Sequence, residues 1–140
     1  MKENKKDILR HLQTEVYCKL GVSKTHGIGV FSIRDIPKGI NPLNTWLNIE
    51  EIKFSKKEMV GIPSSVKKQM KIFCFYDSKY MHVPNIGLNS ANMAIYLNHS
   101  KTPNVEFKIN GKIQALRVIK KNEELFLDYD LSFGGVHIFK

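Results

Sequence analysis

The sequence predicts a mostly β domain with a small helical insert, and three observations lead to that class. From Val16 onward, short β-rich runs are punctuated by Gly and Pro: Val16-Tyr17-Cys18-Lys19-Leu20, Gly27-Ile28-Gly29-Val30-Phe31-Ser32-Ile33, then Ile36-Pro37-Lys38-Gly39. Asn110-Gly111 separates two alternating runs, Val105 to Ile109 and Ile113 to Val118. That dipeptide readily takes the positive φ of a tight hairpin turn. Residues 50 to 72 are lysine-rich with scattered Ile, Val and Met, and Pro63-Ser64-Ser65 before Val66-Lys67-Lys68-Gln69-Met70 reads as a capped helix start.

Each element follows in order. Ile8, Leu9 and Leu12 succeed Asp7 at helical spacing, so residues 1–15 form a short helix or a frayed leader. Residues 16–130 form the domain proper, with the insert over about 50–80. After the insert's helix come an aromatic run, Phe73-Cys74-Phe75-Tyr76, a turn-rich stretch with Asn85, Gly87 and Asn89, and the apolar Met93-Ala94-Ile95-Tyr96-Leu97. The hairpin around Asn110-Gly111 leads to an acidic run beginning at Glu123, and residues 131–140 remain as a C-terminal tail.

Composition narrows the class of function. A chain of 140 residues is enough for one domain and too short for a multi-domain machine, and 42% hydrophobic with 25% charged residues can build a core. Nineteen Lys and three Arg against 13 acids give a net charge of +9, which predicts a generally positive surface and a polyanionic neighbour such as nucleic acid. Cys18 and Cys74 are the only cysteines, too few for a disulfide framework or a cysteine-rich zinc site. No apolar run approaches the length of a membrane span, and the charged N-terminus is followed by no apolar stretch. These features predict a soluble intracellular protein, cytoplasmic or nuclear, acting as a monomer or homodimer.

Three short motifs carry chemistry, although each alone reads as ordinary structure. Gly27-Ile28-Gly29 lacks the third Gly and following helix of a dinucleotide loop and is by itself a turn. Asn98-His99-Ser100 with Pro103-Asn104 is by itself a polar turn, and Glu123-Glu124-Leu125-Phe126-Leu127-Asp128-Tyr129 a solvated edge. In this order and at this spacing, the three together resemble the SET domain of protein lysine methyltransferases. The likeness runs from Val16 to Asp130, with Phe31 to Gly39 similar to the family's early strand and turn and Ile113 to Lys121 to the strand before the final motif.

The resemblance implies a SET-domain (β-clip) fold of several short twisted sheets with a threaded C-terminal segment, in which the Asn-His and Tyr segments meet. It implies S-adenosylmethionine as cofactor. His26, Gly27, Ile28 and Gly29 would offer backbone to the methionine portion, Asn98 and His99 would hold the amino-acid and adenine parts, and Tyr129 would set its hydroxyl near the departing methyl as the catalytic residue. Tyr76, Tyr96, Phe126, Leu127 and Phe133, with Phe75 beside them, are candidates for the substrate channel. Leu127, where some relatives carry Phe or Tyr, implies room for more than one methyl group. The implied substrate is a lysine-bearing basic protein, with histone tails and ribosomal-type proteins as candidates.

Departures from the family pattern shape further expectations. Ile95-Tyr96 replaces the usual Arg-Phe, Lys101 replaces the Cys that often serves a zinc module, and Asn44-Thr45-Trp46 stands near the usual Glu-Tyr pair. No metal is therefore expected, and the tail, with Phe133 and Phe139, would cover the channel instead. The chemistry itself needs no dedicated base. Free Lys has a pKa near ~10.4, and a sulfonium ~4 Å away at an effective dielectric of about 20 opposes the ammonium by roughly 4 kcal/mol, about three pKa units. Glu123, Glu124, Asp128 and Asp130 lie close together and would draw a cationic peptide. The competing reading is a SET-like module that binds basic peptide or nucleic acid without turnover.

Overall fold

The computed structural model describes residues 5–45, 50–108 and 112–133, and the chain divides into two compact units: Met1–Asn44 with Tyr96–Lys140, and Thr45–Ile95. The first unit opens with helix α1 (Lys5–Thr14), whose Ile8, Leu9 and Leu12 remain largely exposed. Strands β1 (Cys18–Val22) and β2 (Ile28–Ser32) form an antiparallel hairpin with Leu20 opposite Val30 and Val22 opposite Ile28.

The second unit holds strand β3 (Glu51–Ser55), helix α2 (Ser64–Phe73), and strands β4 (Phe75–Tyr76) and β5 (Tyr80–Pro84). Its middle strand is β5, flanked by β3 and β4. The tract expected to be helical therefore begins as a strand. Ile52 and Phe54 alternate with polar residues and pair with Val83 and Met81, partners about thirty residues away that a local reading does not see. Helix α2 starts where the Pro-Ser-Ser signal predicts, but no side chain caps it; Pro63 precedes the first turn and its carbonyl accepts the Val66 and Lys67 N–H groups. Met70 from α2, Cys74 and Met81 make this unit's core, with Met59, Ile62, Val83 and Leu88 around them.

The chain re-enters the first unit through a 3-10 turn, Met93–Tyr96, followed by β6 (Asn98–His99), β7 (Val105–Phe107), β8 (Ile113–Ala115), β9 (Glu124–Leu127) and helix α3 (Tyr129–Phe133). The Asn110-Gly111 tip lies outside the described residues. Its flanks pair as expected, with Phe107 opposite Ile113 and the Lys108 N–H donating to the Lys112 carbonyl at 2.8 Å.

The organising strand is β9. The sheet order is β1-β2-β9-β7-β8, and β6 also pairs with β9, in parallel. Side chains alternate along the strand, so Leu125 and Leu127 are buried while Glu124 and Phe126 stay partly exposed. Val30, opposite Leu125, and Val105, opposite Leu127, are almost wholly inaccessible, as are Ile36, Leu97 and Ile119. The mostly β architecture with helical insert agrees with the class read from the sequence. Both cysteines are buried and free, and among the described residues no helix is long and apolar enough to cross a membrane.

Candidate active site

The two glycines of the first motif are required for different reasons. The Gly27 backbone has φ +50° at the tip of the β1–β2 hairpin, a conformation costly for a side chain, and a Cβ there would meet nothing within 4 Å. Gly29 has no unusual φ. A Cβ at Gly29 would stand 2.5 Å from Glu124 Oε2 and 3.2 Å from Asn98 Nδ2, so bare backbone is needed for the strand to lie against those side chains. The hairpin end is closed by the Ser23 N–H donating to the Gly27 carbonyl at 2.8 Å.

Asn98 ties this loop to β9. Its Nδ2 donates to the His26 carbonyl at 2.9 Å, to Glu124 Oε2 at 3.0 Å and, more weakly, to the Ile28 carbonyl at 3.4 Å. Asn98 is 9% exposed, and its Oδ1 has no donor among the described residues. A buried amide oxygen left without a donor costs stability, so this atom is a natural receptor for an N–H brought by a ligand. Ile28, by contrast, offers its side chain to solvent at 45% exposure.

The final motif arrives at the same place because Asp128 caps α3. Asp128 Oδ1 accepts the N–H groups of Asp130 at 3.0 Å and Leu131 at 3.3 Å, the usual duty of an acidic residue just ahead of a helix. The chain therefore turns at Tyr129. Its N–H donates to His99 Nδ1 at 3.1 Å, which assigns the neutral ring's proton to Nε2. The His99 and Tyr129 rings meet edge to face, 5.9 Å between centroids. The Tyr129 hydroxyl donates to the Leu97 carbonyl, one residue before Asn98, and burial raises the phenol's pKa above its ordinary value.

Each of the four clustered acids has an internal partner. Glu123 pairs with Arg117 at 3.0 Å, Glu124 accepts from Ser23 and Asn98, and Asp128 and Asp130 both lie within ion-pair distance of the Lys101 ammonium. Lys101 is itself held protonated above its ordinary range, chiefly by its hydrogen bond to Asp130. The cluster is thus partly neutralised from within, which weakens the field available to an incoming cationic peptide. His99, Asp128 and Asp130 also bring ligand-type atoms within 4.8 Å of one another. Lys101 supplies positive charge at that cluster.

The structure gathers His26, Gly27, Ile28, Gly29, Asn98, His99 and Tyr129 in the first unit around β9. Tyr96 and Phe126 are half-buried there, and Leu127 is packed at 2% exposure. Tyr76 and Phe75 belong to the second unit, where both are exposed. The Phe133 side chain and residues 134–140, including Phe139, lie outside the described residues, as does Trp46. Sequence reasoning gave Ser23 no role and read Glu124 as a surface acid. It also quoted Asn104 without a task. Asn104 is buried and uses both ends of its amide on β9, donating to the Glu124 carbonyl at 2.9 Å and accepting the Phe126 N–H at 2.7 Å. Two asparagines six residues apart, flanking one strand, are the signal that could have revealed this.

Comparisons with known proteins agree with this geometry. A family model described as the SET domain matches residues 27–130. Among solved structures, a Plasmodium falciparum protein provisionally named a histone methyltransferase superposes with TM-score 0.52 at 23% identity, covering 85% of this chain and 97% of its own. A humanized mutant of the Polycomb Repressive Complex 2 of Chaetomium thermophilum, bound to an inhibitor, superposes with TM-score 0.54 at 22% identity, covering 92% of this chain and 16% of that one. A search of curated proteins by sequence finds no match.

Proposed function

The chain belongs to the SET-domain family, and on that premise we propose that it is an S-adenosylmethionine-dependent protein-lysine N-methyltransferase acting on a basic protein. The observation that carries the reading is the convergence of three distant segments: the His26–Gly29 loop, Asn98-His99, and Tyr129 with its hydroxyl on the Leu97 carbonyl.

The residues fit the cofactor. Among the described residues no donor reaches the buried Asn98 Oδ1, and the ammonium of the cofactor's amino-acid part would supply one. The His26–Gly29 backbone would border the same part, and His99 the adenine. When bound, the cofactor would supply an electrophilic methyl carried on a sulfonium, and the acceptor these residues would have to orient is a neutral lysine amine. Tyr129, a phenol whose pKa burial moves further above its ordinary value, would act as a fixed hydrogen-bonding group and not as a base. Its hydroxyl would orient the amine and the transferring methyl. Tyr96 and Phe126 are the proposed channel walls in this unit, and Leu127, smaller than the Phe or Tyr of some relatives, would leave room for more than one methyl.

A basic substrate fits the amine chemistry, and the histone methyltransferase neighbour makes a histone tail the first protein to try, ribosomal-type proteins the second. The test is transfer of labelled methyl from S-adenosylmethionine to basic protein pools, with methylated lysine read by mass spectrometry. Tyr129→Phe keeps the ring and is expected to fold while losing roughly 10²-fold or more in rate, the scale of a lost preorganised contact to a transition state. A wild-type protein that binds basic peptide but transfers no methyl would leave the binding-module reading in its place.

A further inference from the structure

We propose that Glu124 is an uncompensated negative charge fixed against the His26–Gly29 loop, and that it makes the site prefer the positively charged methyl donor to its neutral product. This rests on the methyltransferase reading above.

The other three acids of the final motif all have cationic partners; Glu124 has none. Its carboxylate receives the Ser23 hydroxyl, 2.8 and 2.9 Å from the two oxygens, and Asn98 Nδ2 at 3.0 Å. All of these donors are neutral. Among the described residues no Lys, Arg or His nitrogen lies within 4.0 Å of it, whereas neighbouring Glu123 pairs with Arg117, and Asp128 and Asp130 with Lys101. Hydrogen bonds from neutral groups satisfy the oxygens without cancelling the charge.

That charge is passed toward the loop. Ser23 Oγ, while donating to Glu124, accepts the N–H groups of Thr25 at 3.0 Å and His26 at 3.3 Å. Asn98, held by the same carboxylate, grips the His26 carbonyl. The absence of a side chain at Gly29 brings the backbone directly over Glu124 Oε2. A charge in a partly buried setting, screened less than one in bulk water, attracts a cation and is indifferent to a neutral group. S-adenosylmethionine and S-adenosylhomocysteine share every recognition element except the methyl and the sulfonium charge. A contact that merely braces the loop would help both ligands alike; a charge also attracts the ammonium that both carry, and its further attraction for the sulfonium favours the donor alone. Glu124 is thus a positioning and selectivity residue, and its effect would ease product release.

The experiment measures dissociation constants of both nucleosides by titration calorimetry on wild type, Glu124→Gln and Ser23→Ala. Glu124→Gln is expected to weaken the donor about fivefold more than the product, a Coulombic effect of modest size. Ser23→Ala keeps the charge and is expected to weaken both in the same proportion. Equal loss of both ligands in Glu124→Gln, or no loss, overturns the proposal and leaves the methyltransferase reading standing. A wild-type protein that binds neither nucleoside overturns both. Should Glu124→Gln fail to fold, a salt titration of wild type decides: donor affinity is expected to fall with added salt more than product affinity, and parallel curves would refute the idea.

Discussion

The two units of this molecule are held together by different means. In the first, apolar side chains such as Val30, Ile36, Leu97, Leu125 and Leu127 are almost entirely withdrawn from water, and the polar residues buried with them, Ser32, Asn98, Asn104 and Asp128, are engaged with backbone or side-chain partners. Ser32 Oγ, for example, donates to the Lys120 carbonyl at 2.6 Å and accepts the Glu123 N–H at 3.1 Å. In the second, only Met70, Cys74 and Met81 are buried among the described residues, and none is as inaccessible as the first unit's inner residues. Branched aliphatics in a polar-braced sheet specify one arrangement, whereas sulfur-containing side chains fill space adaptably. The lesson is that the residues proposed to hold the cofactor are mounted on the well-specified unit, and the lysine-rich insert is built to tolerate change.

Substitutions can break that contrast, beginning with the largest expected effect. Leu125→Ala removes a fully buried side chain from the strand that pairs with β2, and about 3–4 kcal/mol of stability should be lost; Met81→Ala in the second unit should cost about 2 kcal/mol, because its looser surroundings can collapse. Urea unfolding of both variants checks the order, and equal losses would erase the distinction. Asn104→Ala should cost about 2 kcal/mol by stranding the Glu124 carbonyl and the Phe126 N–H, whereas among the described residues the buried core of the second unit holds no polar side chain of this kind.

A pH dependence, gradual where the substitutions act at once, compares the cysteines, one in each unit. Burial pushes the Cys18 thiol up to about 12 from 9.0, and Cys74 is raised too, by burial and then by the charge of Glu51. A raised folded-state pKa leaves the stabilising difference intact below the unfolded value. As pH climbs from 9 towards 12, the unfolded chain releases the Cys18 proton and the folded chain keeps it, so stability should fall by up to about 1.4 kcal/mol per pH unit from that group. Chemical unfolding between pH 8 and 10.5 measures the slope, with Cys18→Ala flattening it. Thiol labelling of native protein should reach Cys74 before Cys18, because the less buried unit opens at lower cost.

Much of the fold was legible because its signals are local. The β1–β2 runs, the helix beginning after Pro63 and the hairpin flanking Asn110-Gly111 all follow from alternation and turn chemistry within a few residues. Strand β3 was misread because its two apolar residues acquire meaning only opposite Met81 and Val83. In the site, the motif residues named in advance do converge near β9. The reasons given for some of them change: Gly29 is small to admit Glu124 and Asn98, and Glu124 is held by Ser23 and Asn98 where its charged neighbourhood suggested a solvated edge.

The sequence by itself determined the domain's class through backbone preference and turn chemistry, and its motifs carried the resemblance to the family. Tertiary structure alone decided which atoms those motifs leave satisfied. Asn98, Ser23 and Glu124 lie up to 101 positions apart, and whether a carboxylate meets a hydroxyl, an amide or a lysine depends on the angle at which β9 enters between β2 and β7. Hydrogen bonds are directional and reach about 3 Å, so a chain read in one dimension can supply the partners without assigning the pairs.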